Sequence, residues 1–400
     1  MGNIVPMADR LDQDLVAALA LVAPGSPLRE GLDRVLQAKR GALVVIGDDA
    51  AVLSICSGGF LLDAEFSPQR LSELAKMDGA IILARDASRI ARANVHLVPA
   101  ASIPTSETGT RHRTAERVAR SIGVPVVAVS ESMSIIAIYR NGHKHTVQPP
   151  SPILDRAGQA LSTLQRFRNR FDLALATLST LEVEDAVAVR DVVAVIQPGE
   201  LVGRIAEEVQ GYLVELGEDG RLVRLQLEEL TGGVQEALRL VVRDYVAVGG
   251  ADGAHDGASA PRPSPVPSPR SGHSSSPHPT HGGQPAVDGD VDAGLHALAT
   301  LPPDDLLDPL RVGETLGLGT GLSGLDAGIE ARGYRLLHRL PRFSDVLIER
   351  VVERFVTLPH IMQASLSDLE KVGGVGEAKA RAMKDGLARL AEASILARYE

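Results

Sequence analysis

Residues 249–290 divide this chain into parts that cannot share one core. The stretch is built from Gly, Ala, Ser, Pro and His with almost no large apolar side chain. It cannot bury enough surface to offset the entropy of ordering its backbone, so it reads as a disordered linker. Its spaced histidines, His273, His278 and His281, have no cysteine beside them and read as incidental rather than as a metal site. The chain has 400 residues, of which 44% are apolar, enough for two or three domains that each bury a core of their own.

Two textures precede the linker. From Ala42 to about His145, short β-branched runs at 42–46, 80–83, 95–98, 125–129 and 135–139 alternate with helical patterns at 28–38, 67–76 and 114–122. This predicts an α/β domain built on one sheet. From Pro152 to Val246 the apolar residues follow a 3.6 period, as in Leu201, Ile205, Val209 and Leu213, which predicts a helical domain interrupted by a turn at 217–220. Beyond the linker, the segment from Leu306 onward reads as short helices broken by glycine or proline.

Charge and composition narrow the function. The net charge of -10 excludes a protein that coats nucleic acid by bulk positive charge, so any DNA site must be local. Between Ala331 and Glu400 there are 12 Lys and Arg against 9 Asp and Glu, a locally basic tail in an acidic chain. With no Trp, five Tyr and six Phe, an aromatic platform for single strands is not expected. The one cysteine, Cys56, lies in an apolar run and reads as a small buried thiol. No run reaches the roughly 18 apolar residues of a spanning helix, and no secretory leader is recognisable, so a cytoplasmic protein is expected.

Two segments carry chemistry. Asp78-Gly79-Ala80 places a carboxylate and a glycine at a helix-to-strand junction, where a backbone can approach a ligand and the acid can hold Mg²⁺ or Mn²⁺ shared with substrate phosphates. Alone it is an ordinary turn before a strand. The second segment runs from Thr105 to Thr114, a hydroxyl-rich loop with Gly109 that leads into a helix whose apolar face carries Ala115, Val118, Ala119 and Ile122. Free amides and the positive end of the helix dipole suit phosphate. Arg111 and Arg113 can grip phosphate oxygens in bidentate fashion, and His112 can donate a hydrogen bond or shuttle a proton. Cations there oppose the helix dipole, a local cost of the kind functional sites carry.

With Ala93-Asn94-Val95-His96-Leu97-Val98-Pro99, the Asp-Gly-Ala triplet and the run Ile103-Pro104-Thr105-Ser106-Glu107-Thr108-Gly109-Thr110-Arg111-His112-Arg113-Thr114-Ala115-Glu116-Arg117 resemble the diadenylate cyclase domain. The whole chain except the linker resembles the DNA integrity scanning family of diadenylate cyclases. The resemblance implies condensation of two ATP molecules into cyclic di-AMP with release of two pyrophosphates. It implies that Asp78 is the metal-binding carboxylate and that Gly79, Ala80 and Leu97 line the nucleotide pocket. Gly109, Thr110, Arg111, His112, Arg113 and Thr114 then bind the ATP phosphates, with Asp78, Arg111, His112 and Arg113 as the catalytic set. Ser130 matches a polar pocket position, but Glu131, Ser132 and Met133 follow it where some members place arginines. A symmetric product requires two sites facing each other across a two-fold axis, and the family assembles as an octamer.

In the tail, Leu369, Val372, Ala380 and Met383 belong to two short helices joined by Gly374-Val375-Gly376. This resembles a helix-hairpin-helix motif whose amides approach a DNA phosphate, with Lys371, Lys379 and Arg381 around it. A weaker repeat at Leu340-Pro341-Arg342-Phe343 precedes it. The family suggests branched DNA as the partner.

The expected architecture is therefore multidomain. An α/β cyclase domain with a mixed sheet flanked by helices spans 1–150, a helical middle domain 151–248, the linker 249–290, and a helical DNA-binding domain 291–400. Two other readings stay open on the sequence. One is a DNA-binding scaffold that binds ATP or cyclic di-AMP without catalysis, against which the retained Asp78 and both arginines weigh. The other, a repair nuclease or ligase, needs a carboxylate cluster or a nucleotidylated lysine motif, and neither is found.

Overall fold

The structure, a computed structural model, describes residues 13–246, 286–319 and 321–396. The expected linker lies outside the described residues up to position 285, as do its three histidines, and its last residues open a helix at Ala286. The chain forms two compact units. One comprises the residues up to 169 with 201–234, the other 170–200 with those from 235 onward. The segment expected as a middle domain thus contributes to both.

The first unit is built on the strands β1 (Ala42–Ile46), β2 (Cys56–Ser57), β3 (Phe60–Glu65), β4 (Ala80–Leu83), β5 (Arg89–Leu97), β6 (Val126–Ser130), β7 (Ile135–Arg140) and β8 (His143–Val147). They form one sheet in the order β2-β5-β4-β1-β6-β7-β8, with β3 also paired to β5. β1 and β4 are parallel and the other pairs antiparallel, so the sheet is mixed, as expected. Helices α1 (Gln13–Leu21), α2 (Pro27–Gln37), α3 (Ala50–Ser54), α4 (Pro68–Leu74) and α5 (Thr110–Ile122) cover it.

Every residue of β1, β4 and β6 is buried, because both faces of the central strands are covered. Alternate residues divide between two cores. Val44, Ile46, Ile81, Leu83, Val127 and Val129 pack with Leu28, Leu32 and Val35 of α2 and Leu71 of α4. Leu43, Val45, Ile82, Val126 and Ala128 pack with Val118 and Ala119 of α5. Each large apolar side chain removed from water contributes roughly 1.5–3 kcal/mol, so a one-residue slip of register would misplace both sets at once.

Helix starts follow local chemistry. Ser26 and Ser67 cap α2 and α4 by accepting from the amides of Arg29 and Arg70, with proline at the first helical position. α5 begins at Thr110, four positions before the expected start, because Gly109 takes the extended N-cap conformation; Gly123, at φ +73°, closes it. β2, β3 and β8 went unrecognised because they lie toward the sheet edges and lack a fully buried face. Edge placement also leaves Cys56 half-buried rather than buried, and burial pushes its thiol up.

The remaining helices are α6 (Pro150–Glu184), α7 (Val189–Leu216), α8 (Arg221–Thr231) and α9 (Val234–Tyr245), with the expected turn at Gly217–Gly220. After these come α10 (Ala286–Thr300), α11 (Pro303–Leu307), α12 (Pro309–Thr315), α13 (Gly321–Leu325), α14 (Tyr334–His338), α15 (Asp345–Phe355), α16 (Leu358–Gln363), α17 (Leu366–Glu370) and α18 (Glu377–Leu396). Among the described residues, no helix is long and apolar enough to cross a membrane.

In the second unit, α14–α15 and α17–α18 each form a short helix, a tight turn and a longer helix around a common core. Leu337, Leu340, Ile348 and Val351 of the first pair occupy places equivalent to Leu369, Val372, Ala380 and Met383 of the second. The turns match as well, with Arg342 at φ +72° where the second has Gly374 at φ +94°. The weaker repeat seen in the sequence is thus the same substructure with a non-glycine residue in the left-handed position.

Candidate active site

Sheet topology gathers the first unit's chemistry at one end. β1 and β4 start at the same end because they are parallel, and antiparallel β6 finishes there. Gly41, Asp78-Gly79 and Ser130 therefore lie at one end of the central strands, and α5 presents its first turn to it. Arg111 reaches across from that turn, and its Nη2 lies 2.6 Å from Oδ1 of Asp78. The two segments singled out in the sequence thus meet.

Two glycines permit this. A Cβ on Gly41 would lie 2.4 Å from Nη1 of Arg111, so the guanidinium passes through space that only glycine leaves open. A Cβ on Gly79 would lie 2.5 Å from the Cα and C atoms of Asn94, so Gly79 allows β4 to start against the backbone of β5. Gly41 was not recognised in the sequence, since a glycine before a strand carries no signal of its own.

A cleft of about 350 Å³ opens beside the ion pair, lined by Gly109, Thr110, Arg111, His112, Val129, Ser130, Glu131 and Ser132. Five of the expected site residues line it: Gly109, Thr110, Arg111, His112 and Ser130. Ala80 and Leu97 do not; they are 2% and 6% exposed and belong to the core beneath. Arg113 donates to the carbonyl of Thr108, and the Thr114 hydroxyl to the carbonyl of Thr110. Glu131 and Ser132, set aside in the sequence as a departure from the family pattern, are part of the lining.

The segment before α5 is held by the helix itself. Buried Glu116 accepts from the Thr105 hydroxyl and the Ser106 amide, while Arg117 and Arg120 donate to the carbonyls of Ile103 and Pro104. That clamp explains why the recognisable run is so long. Gly109 gives α5 no side-chain cap, so the first amides of the helix are left for a ligand.

Behind the cleft, His112 is 7% exposed and its Nδ1 lies 2.8 Å from the Tyr139 hydroxyl. Tyr139 donates to Glu107 at 3.0 Å, and Lys144 donates to the same oxygen at 2.7 Å. Burial pushes the Glu107 carboxyl up, but the hydrogen bonds from Lys144 and Tyr139 outweigh it and hold the group below its usual range. Burial pushes the His112 imidazole down, with Lys144 and Arg111 adding to the effect and Glu107 opposing it.

Asp78 has a side chain that is 91% exposed, and among the described residues no group of three or more His, Cys, Asp or Glu could hold a metal ion. One open carboxylate beside a cleft at a helix start fits a hard cation that takes its other ligands from substrate phosphates and water, and does not fit an all-protein cage.

In the second unit, the turn between α17 and α18 exposes Gly374 and Gly376, while Val375 is 4% exposed, anchored in the core, and donates its amide to the carbonyl of Val372. Val375 therefore supports the hairpin rather than presenting its own side chain. Nothing lies within 4 Å of a Cβ position on Gly376. Lys379 donates to the carbonyl of Gly374, Lys371 pairs with Asp368 and Arg381 with Glu377, all three exposed. Arg350 of α15 donates to the carbonyl of Gly373 and adds a cation missed in the sequence because it belongs to the other repeat.

Residues 29–144 match the family model described as the DisA bacterial checkpoint controller nucleotide-binding region, and residues 147–258 the DisA bacterial checkpoint controller linker region. The chain is 48% identical over 394 residues to the DNA integrity scanning protein DisA of Kineococcus radiotolerans, covering 98% of this chain and all of that one. It is 49% identical over 389 residues to the protein of the same name from Acidothermus cellulolyticus, covering 97% and 96%. Among solved structures, DacA from Staphylococcus aureus is 23% identical with a TM-score of 0.27, covering 33% of this chain and 88% of that one.

Proposed function

The chain belongs to the DisA family of diadenylate cyclases, ATP-using nucleotidyltransferases, and from this we propose how its residues divide the work. Two ATP molecules are joined: each 3'-hydroxyl attacks the α-phosphorus of the other nucleotide, two phosphodiester bonds form, and two pyrophosphates leave with the α–β bonds broken.

The free amides at the start of α5 and the hydroxyls of Thr110 and Ser130 receive phosphate oxygens. Arg111 and Arg113 offset the charge that accumulates on the departing pyrophosphate. Thr114 steadies the first turn through Thr110. Asp78 orients the attacking hydroxyl and is the carboxylate that would hold Mg²⁺ or Mn²⁺. Such a cation, shared with the phosphates, would supply charge neutralisation at the reacting phosphorus. Gly79 lets β4 start close against β5 beside the pocket, while Ala80 and Leu97 support it from the core beneath. Much of the rate comes from holding two nucleotides in register, so a second copy must bring its own cleft opposite, and an octamer with cyclase domains face to face is the assembly proposed.

For the tail we infer DNA binding through two helix-hairpin-helix repeats, with Gly374 and Gly376 approaching a phosphate and Lys371, Lys379 and Arg381 around them, branched DNA being the favoured shape. This binding would modulate the cyclase. The functional division is proposed at 150 and 248, with the third part opening at α10 from Ala286 rather than after 290, and a cytoplasmic location suits ATP as substrate.

The observation that carries the cyclase site is the meeting of Asp78 and Arg111 beside the cleft at the start of α5. Purified protein incubated with ATP and Mg²⁺ or Mn²⁺ is expected to yield cyclic di-AMP by mass. Asp78→Asn is expected to lower turnover at least ~100-fold, in the range set by loss of one electrostatic partner, with the oligomer intact by size. Turnover retained in that variant would remove Asp78 from the mechanism.

A further inference from the structure

Glu107, Tyr139 and Lys144 take no part in the steps above, yet they build a hydrogen-bonded chain that ends on a residue lining the cleft. The direction of that chain follows from counting protons. Glu107 accepts from both Lys144 and Tyr139, so the single phenolic proton of Tyr139 is committed to the carboxylate. The Tyr139 oxygen can then only accept from His112, which requires the proton of that ring to sit on Nδ1. Tyr139 is 1% exposed and packs edge-on against the imidazole, so the contact is shielded from water.

Nε2 of His112 is left buried with no hydrogen-bond partner in the protein. Cδ2, the atom bonded to it, is the nearest neighbour a Cβ on Gly109 would meet, at 3.7 Å, so this edge of the ring faces the N-cap at the cleft wall. A buried polar atom without a partner has lost its hydration and gained nothing in return. That cost is recovered if the partner arrives with the ligand. Of the groups on ATP, the ribose hydroxyls are donors close to the phosphates.

We propose that Glu107 and Tyr139 are positioning residues that hold His112 as its Nδ1–H tautomer, so that Nε2 accepts a hydrogen bond from a ribose hydroxyl of the bound nucleotide. His112 is then an acceptor for the sugar, unlike its arginine neighbours, which serve the phosphates. The lowered basicity of the buried ring agrees with this, because a neutral imidazole is what the role needs. The inference rests on the cyclase reading of this site.

The test is a double-mutant cycle on the full-length oligomer, with kcat and KM for ATP measured in wild type, Tyr139→Phe, His112→Ala and the double variant. Tyr139→Phe keeps the ring and removes only the hydroxyl. It is expected to lower kcat about 10–100-fold, as loss of an orienting partner does, with little change in KM. In the His112→Ala background it should cost nothing further. If Tyr139→Phe does not fold, Glu107→Gln replaces it, with a smaller loss that again disappears without His112. Wild-type turnover of Tyr139→Phe, or a loss that multiplies with that of His112→Ala, overturns the proposal. Absence of cyclic di-AMP from the wild type would instead overturn the cyclase reading.

Discussion

Gly41 shows how a residue without a functional group can decide a site. It touches no nucleotide in the proposed reaction, yet the path from Arg111 to Asp78 runs through the space a methyl group would take. Gly41→Ala is expected to displace the guanidinium from Asp78, because a flexible side-chain end yields more easily than the nearby carbonyl of Val129. Turnover should fall about 10-fold or more, the scale of a small misplacement of catalytic groups, while thermal stability stays close to that of wild type. Unchanged turnover would mean that Arg111 does not need this route. Asp78, Arg111 and His112 were recognisable in the sequence because their chemistry is written in their side chains. Gly41 and Tyr139 were not, since their effect depends on which atoms lie beside them.

α5 is the element on which the first unit's function turns, and the sequence placed its start four positions late. Hydrophobic spacing begins to repeat only from Ala115, whereas the backbone enters the helix as soon as Gly109 caps it. The residues proposed to grip phosphate are therefore the first turn of a helix rather than a loop, which fixes their directions.

A different solution caps α14 in the second unit. Its N-cap, Gly333, has no side chain, and Asp244 of α9 instead accepts from the amides of Gly333, Tyr334 and Arg335 at 2.8, 2.6 and 2.9 Å. Arg335 in turn pairs with buried Glu182, which also accepts from the Tyr245 hydroxyl. Asp244→Ala would strand three buried amides and is expected to destabilise this unit by about 2–5 kcal/mol in urea unfolding. Burial, with the negative charge of Glu182 adding to it, pushes Asp244 up to about 7 against the backbone bonds and Arg335. The folded state then binds this proton more tightly than the unfolded chain. The group's contribution to stability is full below about pH 4 and declines as pH rises toward about 7. Asp244→Asn should flatten that decline, and a slope unchanged by the substitution would show that another group titrates.

Taken over its full length, an acidic chain with a net charge of -10 must confine any DNA contact to a small surface. The tail offers one in Lys371, Lys379, Arg381 and Arg350 around the glycine turn. Replacing Lys379 and Arg381 together by Glu is expected to weaken binding to junction DNA at least ~10-fold. The slope of log affinity against log salt should fall by about two, one for each phosphate that is no longer neutralised. Affinity and slope both unchanged would place the DNA site elsewhere.

The kinds of parts in this protein are written locally in its chain: an α/β unit in alternating β-branched and helical runs, helices after it, and a tail with a glycine hairpin. The cyclase family was legible too, because the loop, its cap and the helix that clamps it are contiguous and leave one long recognisable run. Which distant residues meet was settled by folding alone. Parallel pairing of β1 with β4 and antiparallel pairing of β1 with β6 bring Gly41, Asp78 and Ser130 to one end of the sheet. Folding also sets Nδ1 of His112 2.8 Å from the Tyr139 hydroxyl, the contact on which the proposed tautomer depends. Local patterns record what each segment prefers, while proximity and protonation depend on neighbours that only the folded sheet supplies.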